Sequence, residues 1–118
     1  MFEALAHVLM FVPAVRPAAE WYGHVLGQRP QFTDENFASI RVGTSELCFH
    51  IADAKVPPGR AGQVAYWRVS SLSAARGAFE GAGATLYRGP LDIGNGQAVC
   101  QFADPFGNLI GVVGAADA

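Results

Sequence analysis

His7-Val8-Leu9-Met10-Phe11-Val12-Pro13, followed by Pro17-Ala18-Ala19-Glu20-Trp21-Tyr22 and a stop near Gly27, is the stretch on which the fold turns. An apolar run of strand length passes through a proline into an amphipathic helical stretch and ends at glycine. The same order returns further along. Val64-Ala65-Tyr66-Trp67-Arg68-Val69 is a second strand-like run, Ser70-Ser71 the turn, Ala74-Ala75-Arg76-Gly77-Ala78-Phe79 the helical stretch, and Gly81 to Gly83 the stop. Val12 matches Val69, Ala18 matches Ala75 and Tyr22 matches Phe79.

Short strand candidates separated by turn residues follow each helix. In the first half they are Gln31 to Thr33, Ala38 to Val42 and Leu47 to Ile51. In the second they are Thr85 to Tyr87, Ala98 to Phe102 and Leu109 to Val113. Each half therefore reads β-α-β-β-β, with module one over about residues 3–54, a Pro- and Gly-containing linker over 55–62 and module two over 63–114. One helix covers one face of four strands and leaves the other bare. Two such modules in tandem predict a single α+β domain over 1–118. It is expected to be a curved, partly open mixed sheet with helices on the convex side and a pocket on the concave side.

Composition agrees with one packed domain. The chain has 118 residues, of which 51% are hydrophobic and 15% charged, a balance that excludes a disordered chain. A net charge of -2 offers no basic field, so neither a nucleic acid nor an anionic membrane is expected as partner. Cys48 and Cys100 are too few for a disulfide scaffold and sit in no C-x-x-C pair. The run Val8 to Val12 is too short to span a bilayer, and Met1-Phe2-Glu3 carries no basic leader. A cytoplasmic protein is expected.

The residues from Ala6-His7-Val8 through Trp21-Tyr22 to Val25-Leu26-Gly27, with Asp104-Pro105-Phe106-Gly107-Asn108 before the last strand, resemble the vicinal oxygen chelate superfamily. That superfamily includes glyoxalase I, the bleomycin- and fosfomycin-resistance proteins and the extradiol dioxygenases. The resemblance covers nearly the whole chain. It implies the paired βαβββ fold and a homodimer joined edge to edge, but no single chemistry, because one fold hosts many.

In metal-using members of that superfamily four ligands come from four strands, two per half. Carried over by position, His7 matches the first ligand, and His50 or Cys48 the second. Val64 and Gly111 fall at the other two positions, and neither binds metal. A catalytic metal normally keeps about three protein ligands. The expectation is therefore a site with no cofactor. The competing reading is a divalent metal (Zn, Ni, Mn or Fe) held by His7 and His50 in a lyase or dioxygenase.

Alternation along strands sorts the remaining candidates. His7, Leu9 and Phe11 share a face, as do Cys48 and His50, and Val64, Tyr66 and Arg68. Trp67 then points towards the second helix. Ser39 and Arg41 reach the pocket only if Ala38, Ile40 and Val42 cover a helix. The expected ligand-binding set is Leu9, Phe11, Arg41, Cys48, Val64, Tyr66, Arg68 and Gly111, with His7, His50 and Tyr66 as candidate acid–base residues. Apolar walls with arginines suit a small molecule with an apolar body and a carbonyl or anionic group. Three functions follow in order: small-molecule binding without a full metal site, the metal-dependent enzyme, and a metal-free lyase or isomerase. Gly89 to Gly96 is expected to be a loop and candidate lid, His24 a solvated residue at a helix end, and Asp104 to Asn108 a structural turn.

Overall fold

The computed structural model describes residues 1–116. The chain divides into two compact units, one ending at Pro58 and one beginning at Gly59. Each unit is a four-stranded mixed sheet with one helix, so the fold is α+β with two open sheets.

In the first unit, β1 (His7–Val12) leads into α1 (Val15–Leu26), then β2 (Gln31–Asp34), β3 (Phe37–Val42) and β4 (Ser45–Ile51). The strand order is β1-β4-β3-β2, with β1 parallel to β4 and the other pairs antiparallel. Helix α1 buries Val15, Ala18, Ala19, Tyr22 and Gly23, a one-sided stripe at helical spacing. Tyr22 meets Phe49 of β4 with ring centroids 5.4 Å apart. Met10, Val12, Ala38, Ile40, Leu47 and Phe49 complete this core. Gly27 stops the helix in the left-handed conformation, φ 66°, and its N–H reaches the carbonyls of Gly23 and His24. His24 is exposed in the last turn, as expected, where a cation complements the helix dipole.

In the second unit, β5 (Tyr66–Arg68) precedes α2 (Leu72–Gly81), β6 (Thr85–Gly94), β7 (Gln97–Ala103) and β8 (Leu109–Ala115), in the order β5-β8-β7-β6. Ser71 caps α2 by accepting from the Ala74 N–H at 3.1 Å. Phe79 of α2 stacks on Phe102 of β7, centroids 5.0 Å apart.

Two expectations are corrected here. Strand β5 begins at Tyr66, so Val64 lies two residues ahead of the strand. Residues 89–94 are the far half of the ten-residue strand β6, and a loop lid over 89–96 does not exist. The strand absorbs Pro90 because β6 ends its sheet and its register shifts between Arg88 and Leu91, where a missing N–H costs no ladder bond. The turn at 104–108 is structural as expected. The buried Asp104 carboxylate accepts from the N–H groups of Phe106 and Asn108 at 2.8 and 2.9 Å. Among the described residues no helix is long and apolar enough to cross a membrane.

Candidate functional site

Helix α1 packs on the face of the first sheet that carries Met10, Ala38, Ile40, Leu47 and Phe49. Every second residue therefore points to the opposite, open face. Register arranges those residues in rows across the strands. His7, Glu46 and Arg41 are cross-strand neighbours in one row. Leu9, Cys48, Ser39 and Gln31 form the next. Phe11, His50 and Phe37 form the third. The face thus runs from a charged end to an aromatic end.

The aromatic end fixes the state of a histidine. Half-buried His50 lies against Phe11, ring centroids 5.4 Å apart. Its Nδ1 stands 2.8 Å from the Ile51 carbonyl oxygen. A carbonyl only accepts, so Nδ1 donates, and the neutral ring keeps its lone pair on Nε2. That nitrogen is equipped to accept a proton or a hydrogen bond.

Cys48 occupies the middle row and is only 3% exposed. Burial pushes its thiol up from the ordinary 9.0, and the Glu46 carboxylate pushes it further. The protonated thiol is a poor nucleophile, despite standing two residues from His50.

His7 and His50 are not brought together. His7 pairs with Glu46 and His50 with Phe11, four residues further along the parallel strands. That offset is roughly 13 Å at the strand rise of about 3.3 Å per residue, too far for two imidazoles to share one ion comfortably. Among the described residues, no three of His, Cys, Asp and Glu stand close enough to hold a metal.

At the charged end, Arg29, Pro30, Gln31, Ser39, Arg41 and Glu46 line a groove of about 390 Å³. Arg41 was expected at the site. Arg29, Gln31 and Glu46 were not. Their neighbourhood depends on strand pairing, although the alternation of Glu46 with Leu47 was a signal that it shares a face with Cys48.

The second unit has a corresponding open face. Tyr66, Gly111 and Gln101 form one row across β5, β8 and β7, and Arg68, Val113 and Val99 another. Trp67 points to the helix side with Val112, as expected, and its indole nitrogen is buried. The Tyr66 ring lies on Gly111, where a Cβ would stand 2.6 Å from Cδ1. Gln101 Nε2 donates to Tyr66 Oη at 2.6 Å, so the tyrosine proton is left to point elsewhere. Gln101 was missed in the sequence, because nothing local announces a partner 35 residues away.

The family description Glyoxalase/Bleomycin resistance protein/Dioxygenase superfamily matches residues 4–112. No curated protein sequence matches the chain. Among solved structures, the chain is similar to a glyoxalase/bleomycin resistance protein/dioxygenase family enzyme from Burkholderia phytofirmans PsJN. There the TM-score is 0.79 at 17% identity, covering 96% of this chain and 99% of that one. It is also similar to the genomically encoded fosfomycin resistance protein of Listeria monocytogenes, TM-score 0.77 at 10% identity, covering 98% and 95%. A glyoxalase/bleomycin resistance protein from Albidiferax ferrireducens T118 gives 0.75 at 18% identity, covering 93% and 97%. At these identities the likeness is one of fold.

The repeat equates Leu9 with Tyr66, and these residues pair with Cys48 and Gly111 respectively. Cys48 is therefore the register counterpart of Gly111. His7 and Val64 are likewise equated by the repeat. Val64 and Gly111 bring no donor atom, which leaves two donors where a catalytic metal normally keeps about three from the protein.

Proposed function

Because the chain belongs to the glyoxalase/bleomycin resistance protein/dioxygenase superfamily, we propose that it uses the family's open sheet face to bind a small molecule without a full metal site. The observation that carries this reading is the row pattern on the first sheet. Leu9, Phe11 and Phe37 offer apolar area beside His50 Nε2, the Ser39 hydroxyl and Arg41. Such a surface suits an apolar body bearing a carbonyl or anionic group. In the second unit Tyr66 and Arg68 extend the same chemistry on their own face.

A homodimer belongs to the proposal. Strand β6 ends its sheet over ten residues and exposes Leu91 and Ile93, a surface that a second copy would cover. A cytoplasmic, reducing setting belongs to it too, since both buried cysteines are free.

The test is nuclear magnetic resonance with acetophenone, a neutral aromatic ketone, added in the presence and absence of EDTA. Shifts at Leu9, Phe11 and His50 that EDTA leaves unchanged are the expected result. Shifts confined to the helix faces, or binding that appears only with added zinc, nickel, manganese or iron, would overturn it. Elemental analysis of the purified protein beside His7→Ala and His50→Ala gives a second readout. One metal per chain, lost in both variants, would restore the metal-dependent reading.

A further inference from the structure

The groove at the charged end holds more cation than its surroundings neutralise. Arg29 and Arg41 line it with Glu46, so two basic residues share it with one acidic residue. The described ion pairs are Arg16–Glu20 and Arg76–Glu80, both elsewhere. Glu46 is the cross-strand neighbour of Arg41, yet the two carry no ion pair within bonding distance. Ser39 and Gln31, cross-strand neighbours on β3 and β2, supply a hydroxyl and an amide to the same groove. Residue 29 lies two positions before Gln31, so its expected place is beside Arg41 in the antiparallel ladder. The groove therefore gathers two planar five-donor forks and two neutral donors around about 390 Å³.

We propose that this groove is the anion-binding end of the site, and that the ligand is a carboxylate-bearing molecule lying along the open face. The inference rests on the open-face reading above and adds to it a charge and a direction. The carboxylate sits between Arg29 and Arg41, with Ser39 and Gln31 completing its hydrogen bonds. The apolar body runs over Leu9 towards Phe11, Phe37 and His50, four residues and roughly 13 Å along the strands. An arginine fork pairs with a carboxylate through two parallel N–H bonds, which distinguishes this end from a merely basic surface.

The experiment compares phenylhexanoate with phenylhexanol by calorimetry, on the wild type, Arg41→Gln and Arg29→Gln. Inorganic phosphate serves as a bare anion, and the arginine Nε–H resonances report where it sits. The acid is expected to bind at least about tenfold more tightly than the alcohol, and each substitution to remove most of that advantage. Added salt should weaken the acid and spare the alcohol. Acid and alcohol binding alike, or acid binding indifferent to both substitutions, overturns the anionic end and leaves the open-face reading intact. If neither organic probe binds while phosphate shifts Arg29 and Arg41, the anionic end stands and the open-face reading fails. If phosphate also leaves those resonances unmoved, both fail. Arg41→Lys separates the fork from the charge: a point charge keeps the phosphate response but loses part of the preference for the acid.

Discussion

Gln101 Nε2 reaches Tyr66 Oη at 2.6 Å across a strand whose intervening residue, Gly111, has no side chain. The ring lies flat because Gly111 lets it. A Cβ at 111 would meet Cδ1, Cε1 and Cγ of the ring at 2.6 to 3.0 Å. Gly111 is not among the residues with positive φ, so its backbone would accept alanine readily. The penalty for Gly111→Ala is therefore steric. It should be about 1–3 kcal/mol by urea denaturation, with the Gln101 hydrogen bond lost. In a Tyr66→Ala background the same change should become neutral or slightly stabilising, because alanine restricts the unfolded chain more than glycine does. An undiminished cost in that background would show that the ring is not what Gly111 accommodates.

The hydrogen bond from His50 Nδ1 to the Ile51 carbonyl makes a prediction about one proton. Above the pH at which the ring is neutral, nitrogen-15 spectra should show His50 protonated on Nδ1 and bare on Nε2. Exposed His24 and His7, with no such acceptor described, should show the usual mixture of tautomers. A bare Nδ1 at His50 would remove the basis for its role as an acceptor on the open face.

The two thiols give the fold a pH dependence of definite sign. Burial raises both, with Glu46 adding to the rise at Cys48; at Cys100 Arg76 opposes it and Glu80 adds to it. Below the ordinary thiol value of 9.0 both the folded and unfolded chains are protonated, and the stability from this source is present in full. As pH rises through 9.0 the unfolded chain releases its protons first, so stability falls until the folded thiols also ionise. Denaturation midpoints should therefore drop as pH rises above 9.0 in the wild type and drop less in Cys48→Ala/Cys100→Ala. Iodoacetamide should label neither thiol appreciably at pH 7. Glu46→Gln should speed labelling of Cys48 alone at alkaline pH.

Alternation was legible because side chains in a strand have a period of two. Once Met10 and Leu47 are assigned to the core, Leu9 and Cys48 have to face away from it. The repeat was legible because both modules need the same apolar strand, turn and helix. Cross-strand neighbours were not legible. Register between β4 and β3, or β7 and β8, is decided by long-range pairing, so Glu46 beside Arg41 and Gln101 beside Tyr66 left no local trace. Residues 89–94 misled for the opposite reason. Gly89-Pro90 is a strong local signal for a loop, and a strand at the end of a sheet can ignore it. Strand β5 starts two residues later than the apolar run at Val64, because the run is longer than the strand it contains.

The two helices begin differently, and that difference can be measured. Ser71 caps α2 with its side chain, whereas α1 starts from Ala14, which has none to offer. The Ala14 backbone is extended, φ -147° and ψ 122°, the conformation that a capping serine or aspartate adopts. The first turn of α1 also holds no acidic residue. Ala14→Ser should therefore stabilise the protein by about 0.5–1 kcal/mol, and Ala14→Asp by slightly more, since its charge also meets the positive end of the helix dipole. Ser71→Ala should cost about 1 kcal/mol. In a chain of 118 residues each should move the melting temperature by roughly 2–6 °C, the first two upward and the third downward. Salt should shrink the excess of aspartate over serine and leave the serine gain alone, because only the former is an interaction of charge with a dipole.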